Sequence, residues 1–165
     1  MADSGEIVNH RFVLGPAAAA LCLTLLAPAS AKTSSSLAFS AWFPDNWAVT
    51  PIIGGLDARD DADDIDVAIR PLVVEGKDED GAIHAFLDDR LDSFKIDRSE
   101  SSNVAHGSRV VYGTGVDGSD KLSFVLYVIK SKGNAQVLML CTGDGPDLSD
   151  QSGVFQHTAQ SVHPS

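Results

Sequence analysis

The chain has 165 residues, enough for one domain, and 12 basic against 23 acidic side chains give it a formal charge of −11. Phosphate contacts need clustered Lys and Arg, so this balance excludes a nucleic-acid interface and works against docking on anionic lipid headgroups. Such a surface keeps a protein soluble and self-repelling without naming its partner.

Residues 1–31 read as a signal peptide. Phe12 to Ala27 is uncharged and apolar apart from Gly15, Pro16 and Thr24, and falls short of the roughly 20 apolar residues of a membrane helix. Pro28-Ala29-Ser30-Ala31 then supplies small residues at −3 and −1 of a cleavage site, with Lys32 as the new N-terminus. Retention of the segment as an anchor is the alternative; after cleavage no stable membrane span is expected. The leading Asp3 and Glu6 against Arg11 have the wrong sign for such a segment, and initiation at Val8 would restore it. Cys22 follows bulky Leu21 and makes a poor lipidation site, so cleavage leaves Cys141 alone, without an intrachain disulfide. Cys141 ends the run Val137-Leu138-Met139-Leu140 and reads as a small buried hydrophobe.

Residues 32–36 form a short polar leader expected to be disordered, and 37–165 a single domain. Leu37, Phe39, Ala41 and Phe43 alternate with Ala38, Ser40 and Trp42 as in a strand, and Pro44-Asp45-Asn46 makes a turn. Trp47 to Ile53 is a second extended run, ended by Gly54-Gly55. Ile65, Val67 and Ile69 mark a half-buried strand, and Pro71, which cannot donate to a ladder, predicts a bulge or an edge there. The period then changes. Asp78 or Asp80 caps a helix whose apolar stripe is Ile83, Phe86, Leu87, Leu91 and Phe94. Three strands follow, Val104 to Tyr112, Leu122 to Ile129 and Gln136 to Thr142, the middle one apolar on both faces. Gly113 to Asp120 and Lys132-Gly133-Asn134 are rich in turn formers and join them as hairpins. Ser149 caps a last helix with Phe155, Thr158, Ala159 and Val162 on one face. The predicted fold class is α+β, an antiparallel sheet of about six strands in the order β-β-β-α-β-β-β-α with helices packed on it.

This succession, with particular residues, resembles the PsbP-like superfamily, including bacterial DcrB-like exported domains. Phe43-Pro44-Asp45-Asn46-Trp47 is similar to that group's apolar strand running into a "P-x-x-W" turn. Phe86-Leu87, Leu91 and Phe94 match its mid-chain helix, and Ala159-Gln160-Ser161-Val162 its final helix ending in "S-V/L". The resemblance spans about Leu37 to Val162. It implies architecture and a non-enzymatic accessory or binding role; it assigns no functional residue to this chain.

Asp57, Asp60, Asp61, Asp63, Asp64 and Asp66 crowd ten positions without the rhythm of a calcium loop, and read as a solvated hairpin tip. Asp117-Gly118-Ser119-Asp120 reads as a turn. His84, His106, His157 and His163 lack metal-ligand spacing, His157 and His163 being able to meet at the end of the final helix. His106-Gly107-Ser108 sets a His and a Ser close in sequence, but there is no nucleophile elbow. No catalytic residue, metal or cofactor is therefore expected. Trp42 and Trp47 are the candidate binding residues, since exposed aromatics anchor partners. The expected function is an exported, non-catalytic accessory or protein-binding domain of the cell envelope, periplasmic or secreted, with an envelope protein as partner. A small-ligand-binding protein and a hydrolase using His106 or a carboxylate pair are the alternatives.

Overall fold

The computed structural model describes residues 31–35, 39–62, 64–73, 78–103, 108–130 and 136–164. The strands are β1 (Ala31–Ser35), β2 (Phe39–Pro44), β3 (Ala48–Ile52), β4 (Gly55–Arg59), β5 (Ile65–Pro71), β6 (Ser93–Ser102), β7 (Ser108–Asp117), β8 (Asp120–Lys130), β9 (Gln136–Gly143) and β10 (His163–Pro164). The helices are α1 (Glu79–Asp88), α2 (Gly145–Asp150) and α3 (Ser152–Ser161). Seven strands form one antiparallel sheet in the order β3-β4-β5-β9-β8-β7-β6, and β1-β2-β10 form a second. The α+β class is as read from the sequence.

The large sheet is covered on both faces. On one, Phe39, Ala41 and Phe43 of β2 with Leu148, Phe155 and Ala159 of the last two helices pack on Leu56, Ile69, Tyr127 and Met139. On the other, Ile83 and Leu87 of α1 pack on Phe124, Leu126, Val128 and Leu140. Strand β8 serves both: Phe124, Leu126 and Val128 face α1 while Tyr127 and Ile129 face β2 and α3. A continuous apolar run is what that central position requires.

Several boundaries differ from the sequence reading. Lys32 to Ser35 is not an unstructured leader but part of β1, laddered on β2 from Ala31↔Pro44 to Ser35↔Ser40. The Lys32 ammonium fixes it by donating to Trp47 O at 2.5 Å. Strand β4 follows directly on the turn at Gly54, whose φ of 75° suits glycine. Asp78 is the cap, its Oδ1 accepting from the Gly81 N–H at 2.7 Å. The helix stops at Asp88, so Leu91 lies in the connection and Phe94 in β6. Asp88, Asp89 and Asp92 put negative charge against the negative end of the helix dipole, and the last turn holds no basic residue. Strand β6 is polar, an edge whose ladder to β7 needs no apolar alternation. Ser149 is not a cap: Asp144 and Pro146 start α2 earlier, and Gln151, at φ −90° and ψ 5°, separates it from α3. Pro71 makes no bulge and β5 is an inner strand: Pro71 is its last residue and pairs with Val137 of β9. The Leu72 N–H bonds Gln136 O at 2.8 Å, so the alternation turns the Pro71 nitrogen the other way, past the last β4 pair, Leu56↔Ile69.

Candidate functional site

A cleft of about 480 Å3 opens between α2, α3 and the face of β6, β7 and β8. Strand alternation aims Tyr112, Val125 and Tyr127 into it, because Tyr112↔Val125 and Val110↔Tyr127 are cross-strand pairs on one face. Leu148 and Phe155 supply the apolar wall, and Ser149, Ser152 and Gln156 the polar rim.

The two tyrosines differ. Tyr112 is half-buried at the mouth, with the Arg98 guanidinium 4.0 Å over its ring. Burial, with Glu100 hydrogen-bonding beside it, pushes its hydroxyl above the ordinary value. Tyr127 is only 4 % exposed. Burial is the main cause of its strongly raised pKa, helped by Cys141 and Tyr112. Among the described residues no hydrogen bond reaches the Tyr127 hydroxyl, and none of the buried side-chain polar atoms sealed from solvent is unsatisfied. Its oxygen therefore opens on the cleft.

The residues singled out from sequence lie elsewhere. Trp47 is a core residue at 3 % exposure, between Phe43 (ring centroids 6.2 Å apart) and Phe155 (6.5 Å). Trp42 is half-buried on the outside of β2, its ring edge-on to His157 at 4.3 Å. His84 is exposed beside Phe94 at 5.4 Å. His157 lies on α3 and His163 in β10, opposite Ser40. His106 lies outside the described residues, as do Asp63 and Lys132-Gly133-Asn134. Cys141 is fully buried, and burial drives its thiol well above the ordinary value.

The acidic run is divided among local tasks. Asp57 pairs with Arg70 at 2.5 Å and Asp66 with Arg59 at 2.7 Å. Asp60 Oδ1 closes the hairpin by accepting from the Asp64 and Ile65 N–H groups at 2.9 and 3.0 Å. Asp64 and Asp66 share a polar recess of about 470 Å3 with Asp117, Asp120, Asp144 and Asp147. Among the described residues no three His, Cys, Asp or Glu side chains are placed to hold a metal ion. A recess of about 530 Å3 at the ends of β6, β7 and β8 is bordered by Lys95 and Lys121 and holds no buried polar group.

No family model matches the chain, and no curated sequence matches it significantly. Solved structures do. The solution structure of cyanobacterial PsbP (CyanoP) from Synechocystis superposes with a TM-score of 0.59 at 12% identity, covering 85% of this chain and 95% of that one. The fold is PsbP-like. The Ran-binding protein Mog1p of Saccharomyces cerevisiae gives 0.53 at 10% identity, covering 81% of this chain and 96% of its own. Within this PsbP-like frame the turn at Pro44 is closed by the Trp47 N–H on Pro44 O at 3.1 Å, and Trp47 enters the core.

The cleft was not legible in the sequence motifs. One signal was present: Tyr127 interrupts an aliphatic run with a hydroxyl, and a buried tyrosine normally finds a partner for it.

Proposed function

We propose that this PsbP-like chain is an exported, non-catalytic accessory domain of the cell envelope that works by binding a protein partner. One observation carries the non-catalytic part. Every resolved pKa shift among the described residues is upward in a group that ordinarily titrates near 9 or above: Lys95, Tyr112, Tyr127 and Cys141. Catalytic acids, bases and nucleophiles are tuned toward the working pH, and these groups are moved away from it. The shared fold supports the binding part, since one of its members is a Ran-binding protein. The charge of −11 favours a partner with a basic face. Among the described residues no helix is long and apolar enough to cross a membrane, and the folded unit takes in Lys32 to Ser35 through the ladder of β1 on β2.

Crosslinking of the tagged protein in its native cell, with mass spectrometry of the captured protein and of the chain's own N-terminus, tests this. A reproducible envelope protein crosslinked to one face, and a mature chain starting at Lys32, support the reading. A correctly processed, folded protein that captures no partner defeats it.

A further inference from the structure

The Tyr127 hydroxyl is the one polar group that the core delivers into the cleft without a protein partner among the described residues. Its ring is locked between strands: Tyr127 pairs with Val110 on one side and Met139 on the other. The hydroxyl is thus held at a fixed point beside Leu148 and Phe155, in space large enough for a molecule of one or two rings.

The charges around the cleft cancel locally. Asp97 is paired with Lys95 at 2.6 Å, and the Arg98 guanidinium lies on the Tyr112 ring with Glu100 bonded to that tyrosine. Nothing at the floor calls for an ionic group, and a chain of charge −11 repels anions.

We propose that this cleft binds a small neutral amphipathic molecule, its apolar body lying on Val125, Leu148 and Phe155 and its carbonyl or hydroxyl oxygen accepting a hydrogen bond from Tyr127. Burial keeps that hydroxyl protonated, so it remains a donor throughout the physiological range. A bond made in such desolvated surroundings is worth more than one made in water. The inference goes beyond protein binding, and either reading can fail alone.

The test uses two probes of one shape, acetophenone and ethylbenzene, the second lacking the oxygen. Each is titrated into the isotope-labelled protein while amide resonances are followed. Acetophenone is expected to give saturable shifts at Tyr127, Leu148 and Phe155, and to bind about five-fold more tightly than ethylbenzene, the value of one net hydrogen bond. Tyr127→Phe should remove that preference while leaving ethylbenzene binding and the melting temperature unchanged. Benzoate, with the same ring and a negative charge, should bind more weakly than acetophenone. Shifts that stay linear to the solubility limit, equal affinity for the two neutral probes in the wild type, or an undiminished acetophenone preference in Tyr127→Phe would each overturn the proposal.

Discussion

Ser161 completes a sheet at Trp42. Among the described residues strand β10 pairs with β2 through His163↔Ser40 and Pro164↔Phe39. Two residues further along that register, Ser161 stands opposite Trp42 but still belongs to α3. Its side chain does what a strand carbonyl would have done, Oγ accepting from the Trp42 N–H at 2.8 Å while donating to Thr158 O at 2.6 Å. A helix end and a sheet row are joined through one hydroxyl.

Ser161→Ala should leave the Trp42 N–H without its partner in a half-buried setting. The expected loss is about 1–2 kcal/mol, lowering the melting temperature by roughly 5 °C. Amide exchange at Trp42 should accelerate while exchange in β8 and β9 changes only with global stability. Unchanged exchange at Trp42 would show that the bond does not hold β2 in place.

Gly113 makes room for Phe124 across the β7–β8 ladder. A Cβ there would lie 2.2 Å from Lys95 O and 2.4 Å from Phe124 Cζ. The first of these is backbone of the neighbouring strand and cannot swing aside. Gly113→Ala should therefore cost about 2–4 kcal/mol, as overpacking does when the backbone must move. Gly118→Ala tests a different cause, since nothing lies within 4 Å of its added Cβ and only the φ of 61° is strained. Its cost should be about 1 kcal/mol. A denaturant melt showing the two equal would refute the crowding explanation.

What was readable followed from burial. Strands with one apolar face (β2, β5) or two (β8, β9) announce themselves by period, and Asp78 announces the start of α1 by its type. Strand β6 could not be read that way: Ser99, Glu100 and Ser101 are wet, and the segment is a strand because β7 offers a ladder. The end of α1 was misplaced because Leu91 and Phe94 continue the helical spacing although they bury themselves from a turn and a strand. The cleft depends on where α2 and α3 settle over β7 and β8, a long-range relation that no local pattern encodes. Trp42 and Trp47 were chosen as large aromatics, yet the first supports α3 and the second fills the core.

Arg70 and Asp57 tie β4 to β5 on the α1 side. The Arg70 side chain is 13 % exposed, and its guanidinium donates to Asp57 Oδ1 at 2.5 Å, Leu56 O at 2.9 Å and Ile69 O at 2.8 Å. Arg70→Ala removes all three at once, and about 2–3 kcal/mol of stability should go with them. Asp57→Asn keeps an oxygen acceptor and leaves the two carbonyl bonds intact, so its cost should stay below about 1 kcal/mol. Parity of the two variants in thermal unfolding would contradict this division.

Alkali should unfold the protein in a definite order. Cys141 ordinarily titrates at 9.0 and the tyrosines at 10.0, and burial raises all three in the folded state. Between the ordinary and the folded values the unfolded chain loses protons that the folded chain keeps. Stability is therefore full below about pH 9 and falls as pH rises, first through the thiol and then through the phenols. Tyr112 and Tyr127 are the only tyrosines of the chain, so the ultraviolet tyrosinate band should lag behind that of free tyrosine and its final rise should coincide with loss of the near-ultraviolet dichroism. Cys141→Ala should delay the first part of the fall, since the thiol no longer draws the unfolded state down. A tyrosinate band developing at the ordinary pH in a protein that stays folded would show that Tyr127 is in open contact with water, and would remove the fixed, desolvated donor from the cleft.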